Sequence, residues 1–178
     1  DCVEMLKSEK NLGFGAACNL GIHASKTRYV MVLNPDTQLS EAAIDQLLAE
    51  LKARGAAIAG PALELEEDKS IIDAPWLVGA VLLFDTQLMN PVGYFDERFF
   101  LYEEDKDVCK CANDAGLKVI HCRNVSIPLY ARKHELGEKI VEAYVRSNKK
   151  RMIVALLTFG VARYTRAKAK IQGVNSAR

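Results

Sequence analysis

Apolar residues come in short blocks divided by polar turns, and the spacing inside the blocks switches between the periods of strand and helix. Arg28-Tyr-Val-Met-Val-Leu33 is a continuous apolar run with β-branched members, ending in Asn34-Pro35-Asp36-Thr37. It reads as a strand buried on both faces, the habit of parallel sheets. Gly15 to Ser25, ahead of it, reads as a helix. After it, Ser40 is placed to cap a helix that gathers Ile44, Leu47, Leu48 and Leu51 on one face and stops at Gly55. Ala57-Ile-Ala-Gly60, closed by Pro61, predicts another short strand.

Glu64 to Asp73 is polar and acidic and predicts a surface loop, whereas Trp76 to Phe84 is apolar again with Gly79 at its centre. A glycine inside a strand marks a bulge, a packing gap or the close approach of a ligand or another backbone. A helix follows with Val108, Cys111, Ala112 and Ala115 on one face, Gly116 stops it, and Leu117 to Cys122 returns as a strand. This helix–strand alternation is that of an α/β sheet. From about Glu135 onward the pattern is helical and increasingly basic.

A chain of 178 residues fits one domain and buries enough surface for a real core. Its 49% apolar and 26% charged residues exclude a disordered or fibrous class. The net charge of +1 argues against a nucleic-acid binder built on bulk positive charge. That balance conceals an asymmetry. Residues 1–131 carry 12 basic and 20 acidic side chains, a net of −8, while residues 132–178 carry 12 basic and 3 acidic, a net of +9. The first segment is read as the α/β domain and the second as a basic helical extension, not an independent domain. The five cysteines lack C-x-x-C spacing and read as reduced thiols. A zinc site from Cys109, Cys111, His121 and Cys122 is not expected, because neighbours this close on a helix or strand diverge.

Three places invite chemistry. Asn34-Pro35-Asp36 falls at the carboxyl end of a buried strand, where open α/β sheets bind ligands, and a carboxylate there suits a divalent cation bridging a diphosphate; the same residues are also ordinary turn formers. Glu103, Glu104, Asp105 and Asp107 crowd a helix start, which the helix dipole favours without any function. They follow Phe99, Phe100 and Tyr102, however, and an aromatic stretch is able to bury one carboxylate and raise its pKa toward that of a base. Gly13-Phe-Gly-Ala-Ala-Cys18 approaches a dinucleotide fingerprint, but no apolar strand precedes it and Cys18 replaces the third glycine. A Rossmann-type dehydrogenase is kept only as a third reading, one that would show NAD binding and no response to metal.

Taken in order, Asn11-x-Gly13-Phe14 with Asn19-x-Gly21, Leu33-Asn-Pro-Asp-Thr37, Val78-Gly-Ala80 and Gly93-x-Phe-Asp-Glu97-x-Phe-Phe-x-Tyr102-x-Glu-Asp-x-Asp107 resemble family 2 glycosyltransferases, nearest to the bacterial rhamnosyltransferase-like members. The resemblance spans about Asn11 to Cys122 and implies a GT-A fold, with a mostly parallel sheet flanked by helices. It implies inverting transfer of rhamnose or a related hexose from a dTDP-, UDP- or GDP-linked donor to a glycan or lipid-linked hydroxyl, in bacterial surface-polysaccharide assembly. By the same resemblance Asp36 would bind Mg²⁺ or Mn²⁺ with Asn34 beside it. Asp105 would be the base and Glu104 would help place the acceptor. Gly79 and Ala80 would line the sugar pocket, and Asn11, Gly13 and Asn19 would lie near the nucleotide. The alternative is a non-catalytic nucleotide-sugar-binding relative.

Family members usually open with a Val/Ile-rich strand and a second strand bearing an Asp, both upstream of where Asn11 falls. A chain complete without them is expected to show weak or no catalysis. The family's usual His near the diphosphate would fall about Pro128 or Leu129, with Arg132, Lys133 or His134 as substitutes. In the extension, Lys149 to Arg151 and Arg163 to Lys170 flank the apolar run Met152 to Ala162. That arrangement suits either an interfacial helix on an anionic leaflet or a helix packed on the body or on a second subunit. A cytoplasmic protein, peripheral on the inner face of the membrane, is the location this reading expects.

Overall fold

The computed structural model describes residues 5–34, 37, 39–63 and 67–127, together with the strand 152–156. Helix α1 (Phe14–Ala24) leads into strand β1 (Tyr29–Leu33), which is followed by α2 (Glu41–Arg54) and β2 (Ile58–Ala62). Then come β3 (Ile71–Asp73), β4 (Val81–Asp85), the single turn α3 (Thr86–Met89), α4 (Glu104–Asp114), β5 (Val119–Ser126) and β6 (Met152–Leu156).

The caps predicted for α2 are present. Ser40 Oγ accepts a hydrogen bond from Ala43 N at 3.1 Å, and Gly55 ends the helix in the left-handed region at φ 59°. A side chain at Gly55 would be strained by that backbone, which is why the helix stops there.

The strands form one sheet in the order β3-β5-β2-β4-β1-β6. β1 is parallel to β6, and β2 to β5; β4 is antiparallel to both β1 and β2, and β3 to β5. Strands β1, β2, β5 and β6 thus point one way, with β4 reversed between β1 and β2 and β3 reversed at the edge. Along β1 the side chains alternate between two cores. Met31 and Leu33 pack with Ile44, Leu47 and Leu51 of α2, whereas Val30 and Val32 pack with Phe14, Cys18 and Ile22 of α1 and with Val108 and Ala112 of α4. Helices therefore cover both faces, as the α/β reading expects. The burial of β1 reflects those two layers and carries no information on the direction of its neighbour β4.

Four local readings change. Ile71–Asp73, placed in a loop by its acidic surroundings, pairs with β5 as an edge strand. Only Val81–Asp85 of the 76–84 run is a strand, and Gly79 lies just before it. The buried residues of α4 are Glu104, Val108, Cys109 and Ala112, with Cys111 exposed, so the inner face is rotated from the one predicted. Finally, Met152–Leu156 is not helical but extends the sheet beside β1. A continuous apolar run does not distinguish helix from strand by period, and Ile153-Val154 favour the strand, which supplies partners to the backbone edge of β1. The rest of the extension, including Pro128, Leu129, Arg132, Lys133, His134 and the expected membrane-facing helix, lies outside the described residues. Among those described, no helix is long and apolar enough to cross a membrane.

Candidate active site

The antiparallel pairing of β1 and β4 sets Leu33 opposite Val81, so the carboxyl end of β1 meets the start of β4. Just past this pair, Asn34 N donates to Ala80 O at 2.9 Å. Asn34 O accepts from Thr37 N at 3.1 Å and from Thr37 Oγ1 at 2.6 Å, which closes a tight turn. The Asn34 Oδ1 atom is buried there without a hydrogen-bond partner. Asp36 itself lies outside the described residues. Its neighbours Asn34 and Thr37 are the fixed points on either side.

One residue further along, Gly79 N donates to Asp105 Oδ2 at 2.9 Å, tying the start of β4 to the first turn of α4. Lys106 N donates to Asp105 Oδ1 at 2.9 Å. Each carboxylate oxygen is thus held by one backbone N–H and keeps a further lone pair for another donor. A Cβ on Gly79 would fall 3.2 Å from Asp105 Cβ and 3.4 Å from Phe14 Cε1. The glycine therefore does mark a close approach, made by a helix and by the start of α1.

α1 begins at the same place. Phe14 N donates to Phe100 O at 3.0 Å, and Asn11 Oδ1 accepts from Gly13 N at 3.1 Å. Gly13 has φ 81°, and a Cβ there would fall 2.3 Å from Phe100 O, so no other residue fits without moving the loop. Asn19 lies deeper and is buried. Its Nδ2 donates to Phe95 O at 2.8 Å and to Glu97 Oε1 at 3.1 Å, and its Oδ1 accepts from Phe95 N at 3.1 Å. Asn19, expected near the nucleotide, uses its amide to clamp the Gly93–Glu103 loop.

The acids divide by position. Glu103 is exposed and pairs with Lys106 Nζ at 2.7 Å. Glu104, expected to help place the acceptor, is only 4% exposed and faces α1, its Cβ 3.7 Å from where a Cβ on Gly15 would fall. Its Oε2 has no hydrogen-bond partner, and burial, with the adjacent Asp105 and Glu103 charges, raises its pKa above the ordinary glutamate value. One carboxylate of the group is buried, but against α1 and not by the aromatic stretch, whose Phe100 and Tyr102 are exposed. Just before α4, Tyr102 and Glu103 hold φ of 70° and 71° in succession, backbone strain that nothing in the sequence announces and that clusters at working sites.

The three buried thiols stay protonated. Burial pushes Cys109 and Cys122 up to about 12 and Cys18 higher still. Among the described residues, no group of three or more His, Cys, Asp or Glu side chains is arranged to hold a metal ion, and no zinc site forms.

Asn34, Gly79, Ala80 and Asp105, far apart in sequence, thus converge at the carboxyl end of the sheet, with Gly13 reaching the same place through Phe14 and Phe100. The family model for Glycosyl transferase family 2 matches residues 1–122, more than half of the chain. The chain belongs to this glycosyltransferase family, and its α/β sheet with flanking helices is the GT-A fold. A comparison with curated proteins returned no match. Membership implies a nucleotide-sugar donor and an acceptor substrate.

Proposed function

We propose that this chain carries out inverting transfer of rhamnose or a related hexose from a nucleotide-diphosphate sugar to a hydroxyl acceptor, in the assembly of bacterial surface polysaccharide. The observation that carries the chemistry is the double backbone anchorage of Asp105, by Gly79 N at 2.9 Å and Lys106 N at 2.9 Å. A carboxylate fixed at both oxygens, with a lone pair left on each, is oriented to accept a proton from an incoming hydroxyl. As the acceptor oxygen bonds to the anomeric carbon, the bond from that carbon to the diphosphate oxygen breaks. The nucleoside diphosphate leaves with the electron pair, and the hydroxyl proton passes to Asp105.

The residues at the end of β1 fit a divalent cation. Asn34 Oδ1 is an orphaned, buried oxygen two positions from Asp36, and hard cations take oxygen ligands. Asp36 with Asn34 would hold Mg²⁺ or Mn²⁺, and the ion would supply neutralisation of the leaving diphosphate. Glu104, behind Asp105, packs the first turn of α4 against α1. Gly79 and Ala80 border the space for the sugar, while Asn11 and Gly13 flank the nucleotide.

The test is a thermal-shift panel of UDP, dTDP, GDP and their sugars, with and without Mn²⁺. A ligand at a hundredfold excess over its Kd stabilises by about 2.7 kcal/mol, which is readily seen. A metal-dependent rise abolished in Asp36→Ala, with transfer lost but donor binding retained in Asp105→Asn, is expected. No response to any nucleotide would overturn the reading.

A further inference from the structure

Eight large apolar side chains are exposed among the described residues, and five of them (Trp76, Val78, Phe100, Leu101 and Tyr102) come from the two segments that meet at the first turn of α4. Soluble surfaces scatter such residues singly, and two of these, Trp76 and Val78, stand on the segment whose Gly79 N holds Asp105. The 74–79 segment lies along α4. Asn113 Nδ2 donates to Ala74 O at 3.1 Å and to Pro75 O at 3.2 Å, Lys106 Nζ is 5.5 Å from the centre of the Trp76 ring, and Gly79 N reaches Asp105. Leu77 turns inward at 4% exposure, and Trp76 and Val78 turn outward at 46% each. The indole is therefore half-exposed on a segment anchored at both ends, with the Lys106 ammonium over one ring face, so that stacking falls to the opposite face.

We propose that Trp76, with Val78, is the platform on which the acceptor stacks, and that this acceptor is a pyranoside whose C–H face lies on the indole while one hydroxyl reaches Asp105. The inference rests on the transferase reading above and names its acceptor class. Two features of the surface select a neutral sugar. An aromatic face matches the apolar C–H side of a pyranose ring, and carboxylates beside it accept from the ring's hydroxyls. Asp105, held by Gly79 N, and Glu103, paired with Lys106, supply those carboxylates, with Lys106 as a donor. The same acids repel an anionic bilayer or a free nucleotide from the indole.

Trp76 is the chain's single tryptophan, so all indole emission reports on this position. The experiment measures acrylamide quenching of the wild-type protein against a panel of methyl pyranosides (rhamnoside, glucoside, galactoside and N-acetylglucosaminide). Separate titrations use nucleotides with Mn²⁺ and vesicles containing phosphatidylglycerol. Saturable shielding by at least one glycoside is expected. In transfer assays, Trp76→Ala should raise the acceptor KM about tenfold with the donor KM unchanged, while Trp76→Phe stays within about threefold, the scale of one aromatic contact. Shielding by no glycoside, or shielding by nucleotide or vesicles alone, overturns the platform. Shielding by a glycoside in a protein that responds to no nucleotide keeps the sugar platform and refutes the transferase reading, so the two fail separately.

Discussion

Replacing Gly79 by alanine should separate the placement of Asp105 from the stability of the fold. The added Cβ would meet Asp105 Cβ at 3.2 Å, Asp105 Oδ2 at 3.4 Å and Phe14 Cε1 at 3.4 Å. Carbon atoms are most comfortable at about 3.5–4.0 Å, so a neighbour must yield by a few tenths of an ångström. Neither yields freely. Asp105 is held in the first turn of α4, and the Phe14 ring packs edge-on against Phe95 with centroids 5.7 Å apart. Overpacking of this small extent costs about 1 kcal/mol. Restricting the unfolded chain returns about 0.4–1 kcal/mol, because Gly79 has no positive φ that alanine would resist. The net effect on Tm should be under about 3 °C. The Gly79 N to Asp105 Oδ2 bond, however, must lengthen or tilt. If a displacement of about 1 Å costs about a hundredfold in rate, a few tenths should cost about three- to tenfold in kcat. The assay is release of nucleoside diphosphate at saturating donor and acceptor, alongside a thermal melt. An unchanged kcat would refute the argument that this glycine places Asp105 for the proposed transfer. A collapse of Tm would show instead that Gly79 serves packing alone.

Two further outcomes follow from buried polar groups. Asn19→Ala removes both bonds to the Phe95 backbone and leaves that N–H and C=O unpaired in the interior; urea unfolding should show a loss of about 3 kcal/mol, and a loss under about 1 kcal/mol would mean the loop finds other partners. Glu104 has its folded pKa raised by burial above the ordinary glutamate value, so the folded state binds more protons than the unfolded one across that window, and stability must fall as pH rises through it. Glu104→Gln should therefore melt above wild type near neutral pH and converge with it below about pH 4, where the unfolded glutamate is also protonated; parallel curves over the whole range would show that the carboxylate is not desolvated.

The elements whose boundaries were legible are those with two agreeing signals. For α2, a capping serine, an apolar stripe and a terminal glycine all say the same thing, and Ser40, Leu47 and Gly55 each act as read. Met152–Leu156 offered a hydrophobic run alone, and the free edge of β1, which decides between helix and strand, is not written in the run itself. The site shows the same division. The order of the motifs carried Asn34, Gly79 and Asp105 together through resemblance, but their contact depends on β4 running antiparallel to β1, which brings Ala80 to Asn34 and Gly79 to α4. The direction of a strand buried on both faces leaves no trace in its composition. For the acids, a usable signal was present. Glu104, Val108 and Ala112 repeat every four residues, so the stripe that buries Val108 and Ala112 carries Glu104 inward, while Asp105, one turn before the buried Cys109, sits half-buried at the edge of that face against Gly79. The adjacent pair thereby divides into a buried carboxyl that packs against α1 and a half-buried carboxylate anchored by two backbone N–H groups. Helical geometry alone does not make that division, since Asp105 shares a stripe with the buried Cys109; the anchorage by Gly79 N and Lys106 N does, and on the proposed function it makes Asp105, not its neighbour, the group on which transfer should depend.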